Sequence, residues 1–380
     1  MKKKINIGFI STNPPTDRRV WSGSIFKIYE SFIRQGFEVT WIPIKYTPKD
    51  LNLFDKIAAL YYKIFRRGFN KNQFMIKSLI GAKRISQEMK GKNIDVLFAP
   101  TSATEIAFLN TQLPIVYFND ATFHQLLNYY GAMSGFGYLS KKATCFIEKK
   151  ALQKATHLVF SSEWAAHHAR DFYGIPEKKI SVVKFGSNSE VPEHINLNKD
   201  YSQTIVFLFL AVDWERKGGA IALKAIEILR EKGYPVMLQV VGCTPPVTST
   251  AMEVIPFLNK NIPEEAQKVK DFLNNAHFMF IPTRADCTPI SFCEAASYGM
   301  PIVSTNTGGV SAHIEHGKTG ILLSEKATAE DYAIEIEQLL NNPENIRQMS
   351  INAREKYERE LNWEKFGVDM EQIIRSVVSS

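Results

Sequence analysis

Two carboxylates, Asp286 and Glu294, stand eight positions apart in the stretch Thr283-Arg-Ala-Asp-Cys-Thr-Pro-Ile-Ser-Phe-Cys-Glu-Ala-Ala-Ser-Tyr-Gly299. On one helix they would be separated by about 12 Å along its axis. With Asp286 on the preceding loop, nothing sets the roughly 5–9.5 Å spacing of a hydrolytic acid–base pair. Each carboxylate accepts two hydroxyl hydrogen bonds, so the pair suits the vicinal diols of a sugar nucleotide. A helix beginning near Pro289 or Ile290 directs free N–H groups and the positive end of its dipole outward. The amides of Ile290 and Ser291 are therefore candidates to meet a diphosphate. The competing view is a strand–turn–helix packing unit with solvent-facing carboxylates.

Two further loops carry related chemistry. In Val212-Asp-Trp-Glu-Arg-Lys-Gly-Gly219, Arg216 and Lys217 lie between a buried strand and a helix. Lys offers a point charge and Arg a fork to a phosphate; cations at a helix start oppose its dipole, so an anionic ligand accounts for them. In Arg18-Arg-Val-Trp-Ser-Gly-Ser24, Gly23 permits close approach of backbone to a ligand beside Ser24. No GxGxxG is present, and a plain turn explains this loop equally well.

The elements that must position these loops alternate along the whole chain. Apolar runs, continuous rather than alternating, predict strands buried on both faces. In the first half they are Ile5–Ile10, Glu38–Pro43, Asp95–Ala99, Ile115–Phe118, His157–Ser161 and Ile180–Lys184. In the second half they are Thr204–Ala211, Val236–Val241, Phe278–Pro282, Pro301–Ser304 and Ile321–Leu323. Helical patterns lie between them, for example Ser24–Gln35 closed by Gly36 and Gly219–Lys232 closed by Gly233. A length of 380 residues exceeds what one core usually fills. The expectation is an α/β chain of two doubly wound, Rossmann-like domains, 1–190 and 200–360, with a polar break near Asn188–Gln203. A last helix, about 362–380, is expected to pack back on the first domain. Ligands of such folds sit beyond the C-terminal strand ends, which predicts two domains facing a cleft.

A hydrophobic content of 45% with 22% charged residues is ordinary globular composition. The net charge of +7 favours anionic partners; without a Lys/Arg-rich tail or a recognised motif, nucleic acid is not expected. The four cysteines show no CxxC pairing, so a zinc site is not expected, and Cys287 and Cys293 read as reduced packing residues. No apolar run reaches the roughly 18 residues of a spanning helix, and the basic start reads as a first strand rather than a signal peptide. These features predict a cytoplasmic protein. The basic, aromatic stretch Asp55–Lys71 has helical spacing. It is read either as a surface for an anionic membrane on the inner face of the cell membrane or as a helix packed on the first domain with snorkelling Lys and Arg.

Jointly these motifs resemble the retaining glycosyltransferases of family 4, glycosyl transferases group 1, which have the GT-B fold. The resemblance rests on Asp286 to Glu294, Gly299-Met-Pro-Ile-Val303, Gly308-Gly309, Gly317-Lys-Thr-Gly320, Glu215-Arg-Lys-Gly-Gly219 and Ser22-Gly-Ser24. It implies transfer of a sugar from a nucleotide-diphosphate sugar to a hydroxyl of a glycan, glycolipid or small alcohol, without metal or other cofactor. Glu294 would hold the donor ribose and Asp286 the transferred sugar's hydroxyls. Lys217 and Arg216 would neutralise the departing diphosphate. Three positions depart from the family pattern. Asp286 replaces a Glu, which shortens its reach by roughly 1.5 Å; Ala211 or Val212 stands where an Arg is usual; and a strand end where the family often has a His reads Phe118-Asn-Asp-Ala-Thr-Phe-His124. Asp120 is the candidate near the reacting sugar there, with His124 second. A sugar-nucleotide epimerase of the same fold and a non-catalytic partner subunit are the alternative functions.

Overall fold

A computed structural model describes residues 4–191 and 195–379. The basic start, Met1–Lys3, and part of the expected break, Pro192–His194, lie outside the described residues. The chain forms two compact units: the described residues up to Val183 together with those from Phe366 on, and Lys184–Lys365.

In the first unit the apolar runs become β1 (Asn6–Ser11), β2 (Glu38–Pro43), β3 (Val96–Pro100), β4 (Ile115–Asn119), β5 (His157–Phe160) and β6 (Ile180–Val182). They pair in the order β2-β1-β3-β4-β5-β6, every pairing parallel. Parallel neighbours need crossovers, so helices cover both faces and the strand interiors must be apolar throughout. Phe9, Phe98 and Phe118 are fully buried, and Phe32 of the helix Ser24–Arg34 meets Phe98 edge-on at 4.9 Å. Phe366 of the last helix, Trp363–Ser379, closes on Phe118 at 5.7 Å.

The second unit holds β7 (Ile205–Leu210), β8 (Val236–Val241), β9 (Met252–Ile255), β10 (Phe278–Ile281), β11 (Ile302–Thr305) and β12 (Gly320–Leu323). Their order is β12-β11-β10-β7-β8-β9, again all parallel. Phe207 pairs with Phe278 in register and the two rings stack at 4.9 Å, both fully buried. Burial of each such side chain stabilises the fold by about 1.5–3 kcal/mol. Strand order reverses between β7 and β10, and the crevice of a doubly wound sheet lies beyond the C-terminal ends of the strands at that switch.

One strand, β9, is missing from the sequence expectation. Its burial alternates between half-buried ends and an exposed middle, because it is the outermost strand and has no apolar run to betray it. Cys293 is a packing residue: it is fully buried, its Sγ donates to the Phe185 carbonyl at 3.4 Å, and burial pushes its thiol far above the usual range.

The stretch from Asp55 joins a helix that begins earlier, at Pro48, and ends at Phe65. Thr47 and Asp50 form a capping box at its start. One edge packs: Phe54 lies between Tyr46 (5.5 Å) and Phe74 (5.4 Å), and Tyr61 meets Phe69 at 5.1 Å. Leu53, Leu60 and Ile64, spaced along a second stripe, are 42%, 59% and 62% exposed. Among the described residues no helix is long and apolar enough to cross a membrane.

Candidate functional site

The loops that follow β7 and β10 meet at the switch point of the second sheet. After β7 the chain turns through Ala211–Lys217 into the helix Gly219–Glu231. Gly218 caps that helix with φ +77°, and a Cβ there would collide with the Pro282 carbonyl of the loop after β10. A Cβ on Gly219 would enter the Trp214 ring. The glycine pair is therefore dictated by close approach of two loops. Three hydrogen bonds join them: the Arg284 amide donates to the Arg216 carbonyl (2.8 Å), the Thr283 hydroxyl donates to the same oxygen (3.3 Å), and Arg216 Nη1 donates to the Ala285 carbonyl (2.9 Å).

This clamp places Lys217 against Asp286. The Lys217 Nζ donates to Asp286 Oδ2, and their side chains are only 11% and 9% exposed. Asp286 Oδ1 accepts from the Thr288 amide (3.2 Å), while its backbone carbonyl accepts from the Gly309 amide (3.1 Å). The Gly308-Gly309 motif thus anchors the loop that carries Asp286. Arg216, expected as a second phosphate fork, is engaged by protein groups at the edge of the site. Its Nε meets Asp213 Oδ2 at 3.2 Å and its Nη1 is held by Ala285, so its guanidinium closes the two loops together.

Beyond Asp286 the chain enters the helix Ile290–Ser297, preceded by Pro289 without a side-chain cap. The half-buried Ile290 and Ser291 begin this helix, next to the Lys217–Asp286 pair in sequence and at the same end of the sheet. Glu294, one turn on, is 1% exposed. A buried carboxylate must be paired or hydrogen-bonded. Glu294 Oε1 accepts from the Ser189 hydroxyl (2.7 Å) and from Lys260 Nζ (2.7 Å). Lys260 escaped the sequence analysis because it lies in the loop after the unrecognised β9; knowing that strand would have marked its C-terminal end for inspection. Asp286 and Glu294 therefore have separate cations, Lys217 and Lys260, and are not a proton-sharing pair. His313, past Gly309, is also buried; its Nδ1 lies 3.2 Å from the Gly309 carbonyl, and burial holds its pKa down to about 4.

An open groove of about 800 Å³ runs beside Arg216, at the C-terminal ends of β7, β8 and β9. Val212, Trp214, Gly242, Cys243, Thr244 and Phe257 line it.

In the first unit, the loop after β1 adopts an unusual conformation. Trp21, Ser22 and Gly23 have φ of 50°, 55° and 89° in succession. Non-glycine residues in this region cost on the order of 1–3 kcal/mol each and persist where their surroundings hold them. The Trp21 ring rests on Phe118 at 6.1 Å, which brings this loop to the end of β4. Ser24 opens the next helix and is buried. Asp120 follows β4 half-buried, its amide donating to Asn119 Oδ1 (3.0 Å). His124 sits in the short helix Phe123–Leu126, with Nδ1 3.2 Å from His168 Nε2. Gly23, Ser24, Asp120 and His124 thus gather at the C-terminal ends of β1 and β4.

Two family models match consecutive parts of the chain: Glycosyltransferase Family 4 over residues 24–190 and Glycosyl transferases group 1 over residues 190–356. The capsular polysaccharide biosynthesis glycosyltransferase CapM of Staphylococcus aureus is 24% identical over 251 residues, 61% of this chain and 65% of CapM. The chain spans about half to two thirds of the length of the curated relatives it matches. The sucrose-phosphate synthase of Thermosynechococcus elongatus superposes with a TM-score of 0.68 at 14% identity, covering 99% of this chain and 100% of that one. Anabaena HepE, solved in complex with UDP and glucose, gives a TM-score of 0.62 at 13% identity over 98% and 100% of the two chains. At these identities the structural likeness is one of fold, the GT-B fold with its two Rossmann-like domains. The matched motifs, the switch-point site and the paired family models agree: over residues 24–356 this chain belongs to the glycosyltransferase family 4, glycosyl transferases group 1.

Proposed function

We propose that the enzyme moves a sugar from a nucleoside-diphosphate sugar to a hydroxyl acceptor with retention of anomeric configuration and without a metal. The observation that carries this is the Lys217–Asp286 pair at the switch point, followed at once by a helix start and by the buried Glu294. An ammonium has three donors; one is directed at Asp286, and the others suit the oxygens of a diphosphate. As the glycosidic bond breaks, negative charge grows on that diphosphate. Lys217 and the amides of Ile290 and Ser291 stabilise it from a fixed geometry, which is where such groups contribute most to rate. Asp286 reads the hydroxyls of the transferred sugar, and Glu294 the ribose. Arg216 contributes by holding the loops. HepE, bound to UDP and glucose, supports a nucleotide-sugar donor for this fold; here the groove beside Arg216 has room for the nucleoside.

On the first unit, Gly23 and Ser24 let the backbone approach the donor, Asp120 orients the acceptor hydroxyl or faces the positive charge developing on the sugar ring, and His124 contacts a hydroxyl. The acceptor is a glycan or a lipid-linked glycan in polysaccharide or glycolipid biosynthesis. The exposed stripe Leu53, Leu60 and Ile64 rests on the cytoplasmic face of an anionic membrane, with Lys49, Lys56 and Lys63 beside it. Incubation with a panel of nucleotide sugars tests the proposal, reading nucleoside-diphosphate release and the product's anomeric configuration by NMR. Release from one donor with retained configuration is expected; inversion, or release from none, contradicts it.

A further inference from the structure

The two carboxylate oxygens of Glu294 are treated differently by the protein. Oε1 accepts from both the Ser189 hydroxyl and Lys260 Nζ, each at 2.7 Å. The atoms themselves fix these directions, since an ammonium only donates and a carboxylate oxygen only accepts. Oε2 has no hydrogen-bond partner among the described residues. A carboxylate offers about four lone-pair sites; the two on Oε1 are filled and the two on Oε2 are not. In a residue only 1% exposed, an acceptor without a donor carries the cost of its desolvation, and a native fold keeps such an atom for a reason.

Both donors are seated by their own loops, within the one compact unit Lys184–Lys365. Lys260 lies between β9 and the helix Pro263–Asn275. Beside it the Asn259 amide donates to Glu265 Oε2, Asn259 Oδ1 accepts from the Asn261 amide (3.0 Å), and the Asn259 carbonyl accepts from the Ile262 amide (2.9 Å). Ser189 is held from its other side: the Ser187 hydroxyl donates to its carbonyl (3.1 Å), and Trp363 Nε1 donates to Oδ1 of the preceding Asn188 (3.0 Å). The loop that bears Lys260 also bears Phe257, which lines the groove beside Arg216. One loop therefore joins that groove to Glu294.

We infer that Lys260 and Ser189 are positioning residues: by occupying Oε1 of Glu294 they reserve Oε2 for a vicinal diol of the ligand, one hydroxyl to each remaining lone-pair site. That the diol belongs to the donor ribose rests on the sugar-transfer proposal; the hold on Oε1 does not.

Calorimetric titration of the full chain with UDP, GDP and ADP, then with the 2′-deoxy and 3′-deoxy forms of those that bind, reads the use of Oε2. Wild type should hold the ribose form about ten- to a hundredfold more tightly than either deoxy form, the scale of a hydrogen bond to a charged acceptor. Lys260→Met frees the carboxylate to turn; it should weaken binding of the ribose form and cut that preference below about threefold. Lys260→Arg keeps a cationic donor and should restore the preference. Ser189→Ala leaves the ion pair and should remove part of the preference, and it carries the test where Lys260→Met does not fold. A lysine with a merely structural role would weaken ribose and deoxy forms alike, so an unchanged preference in Lys260→Met overturns the inference. Tighter binding to Lys260→Met also overturns it, since that marks a lysine competing with the ribose. A wild type that binds a diphosphate without regard to its ribose hydroxyls overturns both the inference and the ribose role of Glu294. Binding of none of the three contradicts the transfer proposal itself, and the inference falls with it.

Discussion

Replacing Lys217 by Met removes the ammonium that faces Asp286 in a site where both side chains are about nine-tenths buried. Breaking a buried ion pair by deleting one partner costs roughly 3–5 kcal/mol, because the surviving charge has lost its compensation. In a unit of this size 1 kcal/mol shifts the melting temperature by about 2–4 °C, so Lys217→Met should melt roughly 6–20 °C below wild type. Adding Asp286→Asn removes the uncompensated charge while keeping an acceptor for the Thr288 amide. The double variant should therefore recover most of the lost stability. It should recover none of the activity, since the cation for the diphosphate is still absent. Calorimetry and nucleoside-diphosphate release on the same samples separate the two effects. A Lys217→Met protein that melts with wild type refutes the energetic argument. A double variant that turns over at the wild-type rate refutes the catalytic one.

Three further outcomes follow from the geometry. Gly219→Ala drives a methyl into the Trp214 ring; overpacking of this kind costs about 1–3 kcal/mol, and displacement of the turn that bears Lys217 should raise the donor KM. Glu360 is half-buried, and although burial opposes its charge, the Lys356 ammonium at 2.6 Å and Lys184 at 3.0 Å pull its pKa down to about 2. A depressed carboxylate contributes stability above its unfolded pKa that is lost as pH falls through the folded value. Urea midpoints should accordingly drop between about pH 4.5 and pH 2, and Glu360→Gln should flatten that slope. Flotation with anionic liposomes should recover the wild type in a salt-sensitive way, and Leu60→Asp with Ile64→Asp should abolish recovery; equal recovery of both would refute the membrane contact.

Most strands were legible because parallel strands buried on both faces must be apolar end to end, as Ile205–Leu210 and Phe278–Ile281 are. Edge strand β9 was not, since half-exposed residues leave no such run. The site loops were legible from glycines beside charges at strand ends. The direct contact of Lys217 with Asp286, however, joins residues 69 positions apart and depends on strand order, which no local pattern encodes. The same holds for Lys260 on Glu294 and for His168 on His124. Arg216 is read as a phosphate fork from its type and its place at a helix start beside two glycines; its contact with the Asp213 carboxylate three positions earlier is what the sequence pattern did not single out.

The most direct test is a structure of the chain with a nucleoside diphosphate soaked in. The account predicts the diphosphate at Lys217 Nζ and the Ile290 and Ser291 amides, with the ribose hydroxyls on Glu294. A nucleotide bound elsewhere, with Glu294 still held only by Ser189 and Lys260, would contradict it.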